Sequence, residues 1–171
     1  MRELIRCPLN EKTDIAAFIM FSDVELTVAS AEELLKKCPE FDVILTAESK
    51  GIPLGYEMSR QSGKPYVVAR KSVKLYMSNP VAVTVKSITT ATEQTLYLSA
   101  EKAELIKEKN ILIVDDVIST GESLNALEKL AENAGGKIAA KAAVLAEGDA
   151  AERTDIIFLE KLPLFLHPKT L

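Results

Sequence analysis

Tryptophan is absent from the 171 residues, aromatic residues make up 5%, and there is a single histidine. So few flat rings leave little for the bases of a single strand to stack on. The one histidine, His167, stands close to the end of the sequence, which all but excludes a Ser-His-Asp triad and zinc sites of the usual kind. Cys7 and Cys38 are too few for a disulfide scaffold and lack metal-ligand spacing. Basic residues do not prevail either. Lys and Arg number 21 against 25 Asp and Glu, for a net charge of -4 and a pI of about 5.2. A broad basic face for nucleic acid is therefore not expected. No run approaches the ~18 uninterrupted apolar residues that a membrane span needs. The opening stretch MRELIRCPLNEK carries charges throughout and has no apolar signal-peptide core. The expectation is a cytoplasmic protein without a membrane partner.

What is present is a core. Hydrophobic residues are 47% of the chain, and at this length folding buries roughly 70% of the unfolded surface. One domain over residues 1–171 is expected. Apolar β-rich runs alternate with amphipathic stretches: strand at 43–47, helix at 52–61 closed by Gly63, strand at 65–69. They continue with a strand at 111–114, a helix at 122–134 closed by Gly135-Gly136, and strands at 138–146 and 156–159. That rhythm predicts an α/β protein with an open, mainly parallel, twisted sheet and helices on both faces. Two segments break it. Residues 1–40 offer a strand at Ala16–Phe21 and a helix at Ala31–Lys37. Residues 71–98 read as a β-hairpin with a polar, flexible tip.

Chemistry concentrates in Ile111-Leu112-Ile113-Val114-Asp115-Asp116-Val117-Ile118-Ser119-Thr120-Gly121-Glu122-Ser123. A buried strand ends in two carboxylates, followed by a Ser/Thr/Gly turn and a helix start. Ligands of open α/β sheets bind at the carboxyl ends of strands. The turn offers amides and hydroxyls at a helix N-terminus, a seat for a phosphate monoester. Two adjacent acceptor-only groups suit a cis-diol such as ribose O2 and O3. Asp115 and Asp116 alternate in a strand, so for both to meet one ligand the chain is expected to leave the sheet there. An acid pair alone is also ordinary helix-capping chemistry; the full string in this order is not. No G-x-x-x-x-G-K-[ST] or G-x-G-x-x-G competes with it.

A second strand end, Ala47-Glu48-Ser49-Lys50-Gly51, places a lysine where backbone amides can help hold an anion. A third, Ala69-Arg70-Lys71 with Lys74, follows the strand at 65–69. Each taken singly is also what a solvated charge looks like.

The thirteen-residue string resembles the phosphoribosyl pyrophosphate (PRPP) signature of type I phosphoribosyltransferases, and the resemblance runs from about residue 14 to 166. It is closest to the purine branch: adenine and xanthine phosphoribosyltransferases and the effector domain of the purine-operon repressor. The resemblance implies a PRPP site made of Asp115, Asp116, Ser119, Thr120, Gly121, Glu122 and Ser123, with Ser49, Lys50 and Gly51 as the pyrophosphate loop. That loop often contains a non-proline cis peptide, placed here at Glu48–Ser49. Arg70, Lys71 and Lys74 would neutralise the leaving group, Arg70 from a neighbouring subunit in dimeric members. Catalytic roles fall to Lys50, Arg70 and the hairpin's Glu93. Mg²⁺ would arrive with PRPP and bind no side chain directly.

The resemblance also implies a hood from residues 1–40 and 147–171, with Phe21, Ser22, Glu147 and Gly148 at the base. Related 6-oxopurine enzymes have a lysine where Gly148 stands, which favours adenine; Ser22 replaces the arginine of the adenine family's Phe-Arg-Asp string. The partners implied are PRPP, a purine base and a second subunit of a homodimer. A non-catalytic PRPP sensor is the rival. Its relatives carry a winged-helix domain, for which the roughly 40 residues ahead of the first ligand strand leave no room.

Overall fold

The fold is a computed structural model that describes residues 3–86 and 93–167, and only the backbone at positions 85, 86, 93 and 94. In chain order these form β1 (Ile5–Asn10), β2 (Thr13–Ala17), α1 (Val24–Lys37), β3 (Val43–Ala47), α2 (Ile52–Ser62), β4 (Tyr66–Ala69), β5 (Val81–Lys86) and β6 (Glu93–Leu98). There follow α3 (Ala100–Ile106), β7 (Asn110–Ile118), α4 (Glu122–Asn133), β8 (Lys137–Glu147), a 3-10 turn (Gly148–Glu152), β9 (Ile157–Leu162) and β10 (Leu164–Leu166).

Five strands in the order β4-β3-β7-β8-β9 make the central sheet, and every neighbouring pair is parallel. Strands buried on both faces need continuous apolar runs, and β3 is buried at all five positions. Alternation divides the core. Val43, Leu45, Ile111 and Ile113 face α4 and the β5–β6 hairpin, in one cluster with Leu124, Leu127, Val83, Leu96 and Leu98. Ile44, Leu112 and Val114 face the other way, with Leu34 of α1 and Leu54 and Met58 of α2. From β3 the chain steps outward to β4 and then returns to the opposite side of β3 to begin β7. The strand order reverses there, and in open α/β sheets such a reversal opens a crevice at the carboxyl edge.

The sheet strands and α2 and α4 lie where the periodicity puts them, within a few residues. The N-terminal segment differs. α1 starts at Val24 rather than Ala31, because the Asp23 side chain accepts the Leu26 amide at 3.0 Å and caps the helix a turn and more earlier. The strand expected at Ala16–Phe21 ends at Ala17; Phe18 and Met20 drop into the core and Phe21 turns outward. α3, capped by Ser99, had no counterpart in the sequence reading.

A second, antiparallel sheet joins both ends of the described chain in the order β1-β2-β10. Arg6 lies 4.6 Å over the Phe165 ring, and His167 Nε2 is 2.9 Å from Asp14. The hairpin is antiparallel from Val81↔Leu98 to Lys86↔Glu93. Its tip, Ser87–Thr92, lies outside the described residues.

Leu127 is fully buried and Leu75 fully exposed. Urea unfolding is expected to show Leu127→Ala losing about 3 kcal/mol and Leu75→Ala less than about 0.5 kcal/mol.

Candidate active site

Two strand ends face each other at the reversal. After β3 the chain makes the loop Glu48–Gly51, whose Glu48–Ser49 peptide is cis. Gly51 sits so close to its neighbours that a Cβ there would meet Thr46 Oγ1, with Asp115 Oδ1 at 3.0 Å and Asp115 Cα at 3.3 Å. Only a residue without a side chain lets the loop press against β7 at this point. α2 then begins with Pro53 in its first turn, where the ring costs no hydrogen bond. Between the loop and β7 lies a cavity of about 190 Å³ lined by Ala47, Glu48, Ser49, Lys50, Lys71, Asp115, Asp116 and Ser123.

Both carboxylates line this cavity, but not because the chain leaves the sheet. β7 runs on to Ile118 and stays paired with β8, Asp115 opposite Ala143 and Val117 opposite Leu145. What ends is the pairing on the other side: β3 follows β7 only from Ile111 to Ile113. One edge of β7 is thus bare at the acids. The Asp116 amide donates to Asp115 Oδ1 at 2.9 Å. Asp116 is 4% exposed, and its Oδ2 is buried with no hydrogen-bond partner among the described residues. Burial, and then the charge of Asp116, push the Asp115 carboxyl up to about 7, with Lys50 pulling the other way.

The cavity adjoins a second, smaller one of about 50 Å³ formed by Val117–Leu124, the two sharing Asp115 and Ser123. Gly121 holds φ +78° at the N-cap of α4, a left-handed conformation that side chains resist. The first intrahelical bond runs from the Asn125 amide to the Gly121 carbonyl, 2.9 Å. The amides before it have no acceptor within the helix and lie at its positive end. Thr120 Oγ1 accepts the Glu122 amide at 3.4 Å. Ser119, Thr120, Gly121, Glu122 and Ser123 therefore form one cradle of donors with the acid pair at its rim.

The basic residues gather on one carboxylate, a feature sequence reading missed. Arg70 Nη2 lies 3.3 Å and Lys74 Nζ 4.0 Å from Glu48 Oε1, and the Lys71 amide donates to Glu48 Oε2 at 2.9 Å. That amide first, then the Arg70 and Lys74 charges, hold Glu48 below the usual carboxylate range. Arg70 is fixed by a two-way backbone bridge to Tyr97 at the base of the hairpin, and in this chain it faces its own Glu48. The signal for this was the acid at the start of the loop, which lies next to β4 in the parallel sheet: the Glu48 amide donates to the Ala69 carbonyl at 2.9 Å.

Of the four residues assigned to the base, Glu147 and Gly148 stand at the end of β8 and Phe21 and Ser22 just ahead of α1. Glu147 ends β8 with Oε1 buried and unpartnered among the described residues, and burial raises its pKa against the pull of Lys50. Gly148 follows at φ +59°. Ser22 instead lines a groove of about 200 Å³ between α1 and α2, with Met20, Val24, Tyr56 and Glu57. The neighbouring Phe21 is half exposed. The side chain of Glu93 lies outside the described residues.

A turn of donors at a helix N-terminus, a buried acid pair and a basic loop thus meet at the reversal of a parallel sheet in an α/β protein. The family model of the phosphoribosyl transferase domain matches residues 23–161. The chain is 35% identical over 127 residues to the adenine phosphoribosyltransferase of Rhodococcus jostii, spanning 74% of this chain and 69% of that one. It is also 35% identical over 119 residues to the xanthine phosphoribosyltransferase of Bacillus licheniformis, spanning 68% and 60%. Among solved structures, the adenine phosphoribosyltransferase of Saccharomyces cerevisiae, complexed with an imino-altritol bisphosphate and adenine, superposes with a TM-score of 0.73 at 21% identity over 92% of this chain and 93% of that one. The chain belongs to the phosphoribosyltransferase family, and the relatives named here are pentosyltransferases.

The raised Asp115 pKa has a definite sign. Between about pH 4 and about pH 7 the folded protein holds a proton that the unfolded chain has released. Stability from this group therefore declines as pH rises through that window and is level above it. Asp115→Asn removes the group, so its melting temperature relative to the unchanged protein is expected to climb from pH 4.5 to pH 7.5 in ligand-free thermal melts. A difference that stays constant across the series would contradict the assignment.

Proposed function

We propose that this chain transfers the 5-phosphoribosyl group of PRPP to a purine, with adenine as the favoured acceptor, giving AMP and pyrophosphate. The observation that carries this reading is the continuous cleft from Lys50, past Asp115 and Asp116, to Ser119–Ser123. It has the order of charges that PRPP presents: pyrophosphate, diol, 5′-phosphate.

In this reading the amides and hydroxyls of Ser119–Ser123 seat the 5′-phosphate, and that remote binding energy fixes C1′. Asp115 and Asp116 accept hydrogen bonds from the ribose hydroxyls and put negative potential near the carbon that becomes cationic. Lys50, Lys71, Lys74 and Arg70 face the departing pyrophosphate; its oxygens take the place Glu48 holds among the last three. The pair Asp115 and Asp116 supplies hard oxygen donors, with Asp116 Oδ2 unpartnered, but too few for an all-protein Mg²⁺ site. The fit is to an ion carried by the oxygens of PRPP, with no side chain bound directly, and such an ion would stabilise the leaving charge.

Adenine is favoured by Glu147-Gly148 at the end of β8. A buried acceptor without a partner among the described residues suits an exocyclic amine, and by the resemblance glycine stands where 6-oxopurine enzymes have a lysine. The likeness to adenine phosphoribosyltransferases points the same way. A second reading, a 6-oxopurine acceptor, draws on the equal identity to the Bacillus licheniformis xanthine enzyme. The dimer and the role of Glu93 belong to the proposal as well.

The test is a pyrophosphate-release assay with PRPP and Mg²⁺, offering adenine, hypoxanthine, guanine, xanthine and uracil in turn. Adenine is expected to give the highest kcat/KM. Release with none of them, alongside tight PRPP binding, would select a sensor instead. The double variant Asp115→Asn, Asp116→Asn is expected to weaken PRPP more than about a hundredfold while the fold survives; unchanged affinity would remove the acid pair from the site.

A further inference from the structure

Arg153 follows the 3-10 turn between β8 and β9, outside every motif legible in the sequence. Its Nε and Nη2 donate to the two oxygens of Asp155 at 2.8 and 2.7 Å, a fork that fixes the guanidinium plane. The remaining nitrogen, Nη1, lies 2.7 Å from the point where a Cβ on Gly121 would stand. Asp155 is gripped from the other side by Lys141 Nζ at 2.6 Å, and Lys141 reaches Glu128 of α4 at 3.0 Å. The chain of contacts is closed: α4, Lys141 on β8, Asp155, Arg153, and back to the N-cap of α4. The charge pairs hold Asp155 well below the usual carboxylate range, Arg153 first and Lys141 next, so the fork stays ionised in neutral solution.

Resting on the reading of Ser119–Ser123 as the 5′-phosphate seat, we infer that Arg153 is a positioning residue for that seat. Held by Asp155, its guanidinium backs Gly121 and sets a positive charge behind the turn. Two effects follow. The left-handed Gly121, on which the direction of the donor amides depends, is braced against a rigid plane. The cation also adds to the positive end of α4, within the first turn, where such fields act. Arg153 does not line the cavity of the turn, so both effects reach the anion through the loop. Its side chain is 28% exposed and its charge is paired by Asp155, so the brace on Gly121 is the larger of the two effects. Glycine at 121 is thus required twice, by its φ and by the space Arg153 occupies.

The experiment is calorimetric titration of the full chain with ribose 5-phosphate and, separately, with magnesium pyrophosphate. The unchanged protein, Arg153→Ala and Asp155→Asn are compared. Ribose 5-phosphate is expected to bind roughly five- to thirtyfold more weakly to both variants. Pyrophosphate, held by the loop after β3, is expected to bind each as it binds the unchanged protein, which a general loss of structure would not allow. In turnover the loss is expected in KM for PRPP with kcat little altered. Arg153→Ala binding ribose 5-phosphate normally, or losing pyrophosphate to the same degree, would overturn the inference while leaving the functional reading in place. An unchanged protein that binds neither ligand would bring down both.

Discussion

The contact of Gly51 with Asp115 is the constraint on which the site depends. It holds the end of β3 against β7 where their pairing stops, so a loop that leaves one strand and a carboxylate that stays on the next share one cavity. A parallel sheet continuing on both sides of β7 would have left Asp115 and Asp116 on opposite faces with backbone on either flank. The reversal of strand order removes one flank and keeps the other, so the acids remain anchored by β8 while their free edge opens to a ligand. Rigidity and access come from the same topological fact.

Electrostatics divides the cleft into regions that a neutral pocket would not distinguish. Asp115 and Asp116 are buried side by side, at a cost that shows in the raised Asp115 pKa. A few residues away, Glu48 is held ionised by the Lys71 amide and by Arg70 and Lys74. At the first pair Asp116 Oδ2 is left without a hydrogen-bond partner among the described residues. The second is a cation cluster whose charge a resident carboxylate already meets.

The two ends of the described chain are joined in a sheet of their own, whose Leu164 lies against Gly148 at the end of β8. Strands β1, β2 and β10 tie the first and last described segments together, and Ser22 opens onto a groove with α1 and α2. The cleft of Lys50, Asp115, Asp116 and Ser119–Ser123 is built from contiguous strand–loop–helix units, whereas Ser22 and Glu147 come from distant segments.

The central strands, α2, α4 and the cradle from Asp115 to Ser123 could be read from the chain alone, because each is a local event: a β-branched run, a helical repeat of leucines, a glycine where the backbone must turn left-handed. The Asp23 cap is local too, but the apolar repeat of α1 begins later and marks a shorter helix. Other features arise only between segments far apart. The opening at β7 depends on where β3 stops pairing; the Glu48 cluster depends on β4 lying next to β3; and Arg153 reaches Gly121 through partners at 155, 141 and 128. What each strand end offers a ligand was legible in the chain alone, since side-chain chemistry travels with the residue. Only the folded sheet decided which ends meet, since through-space distance between them is set by strand order and register.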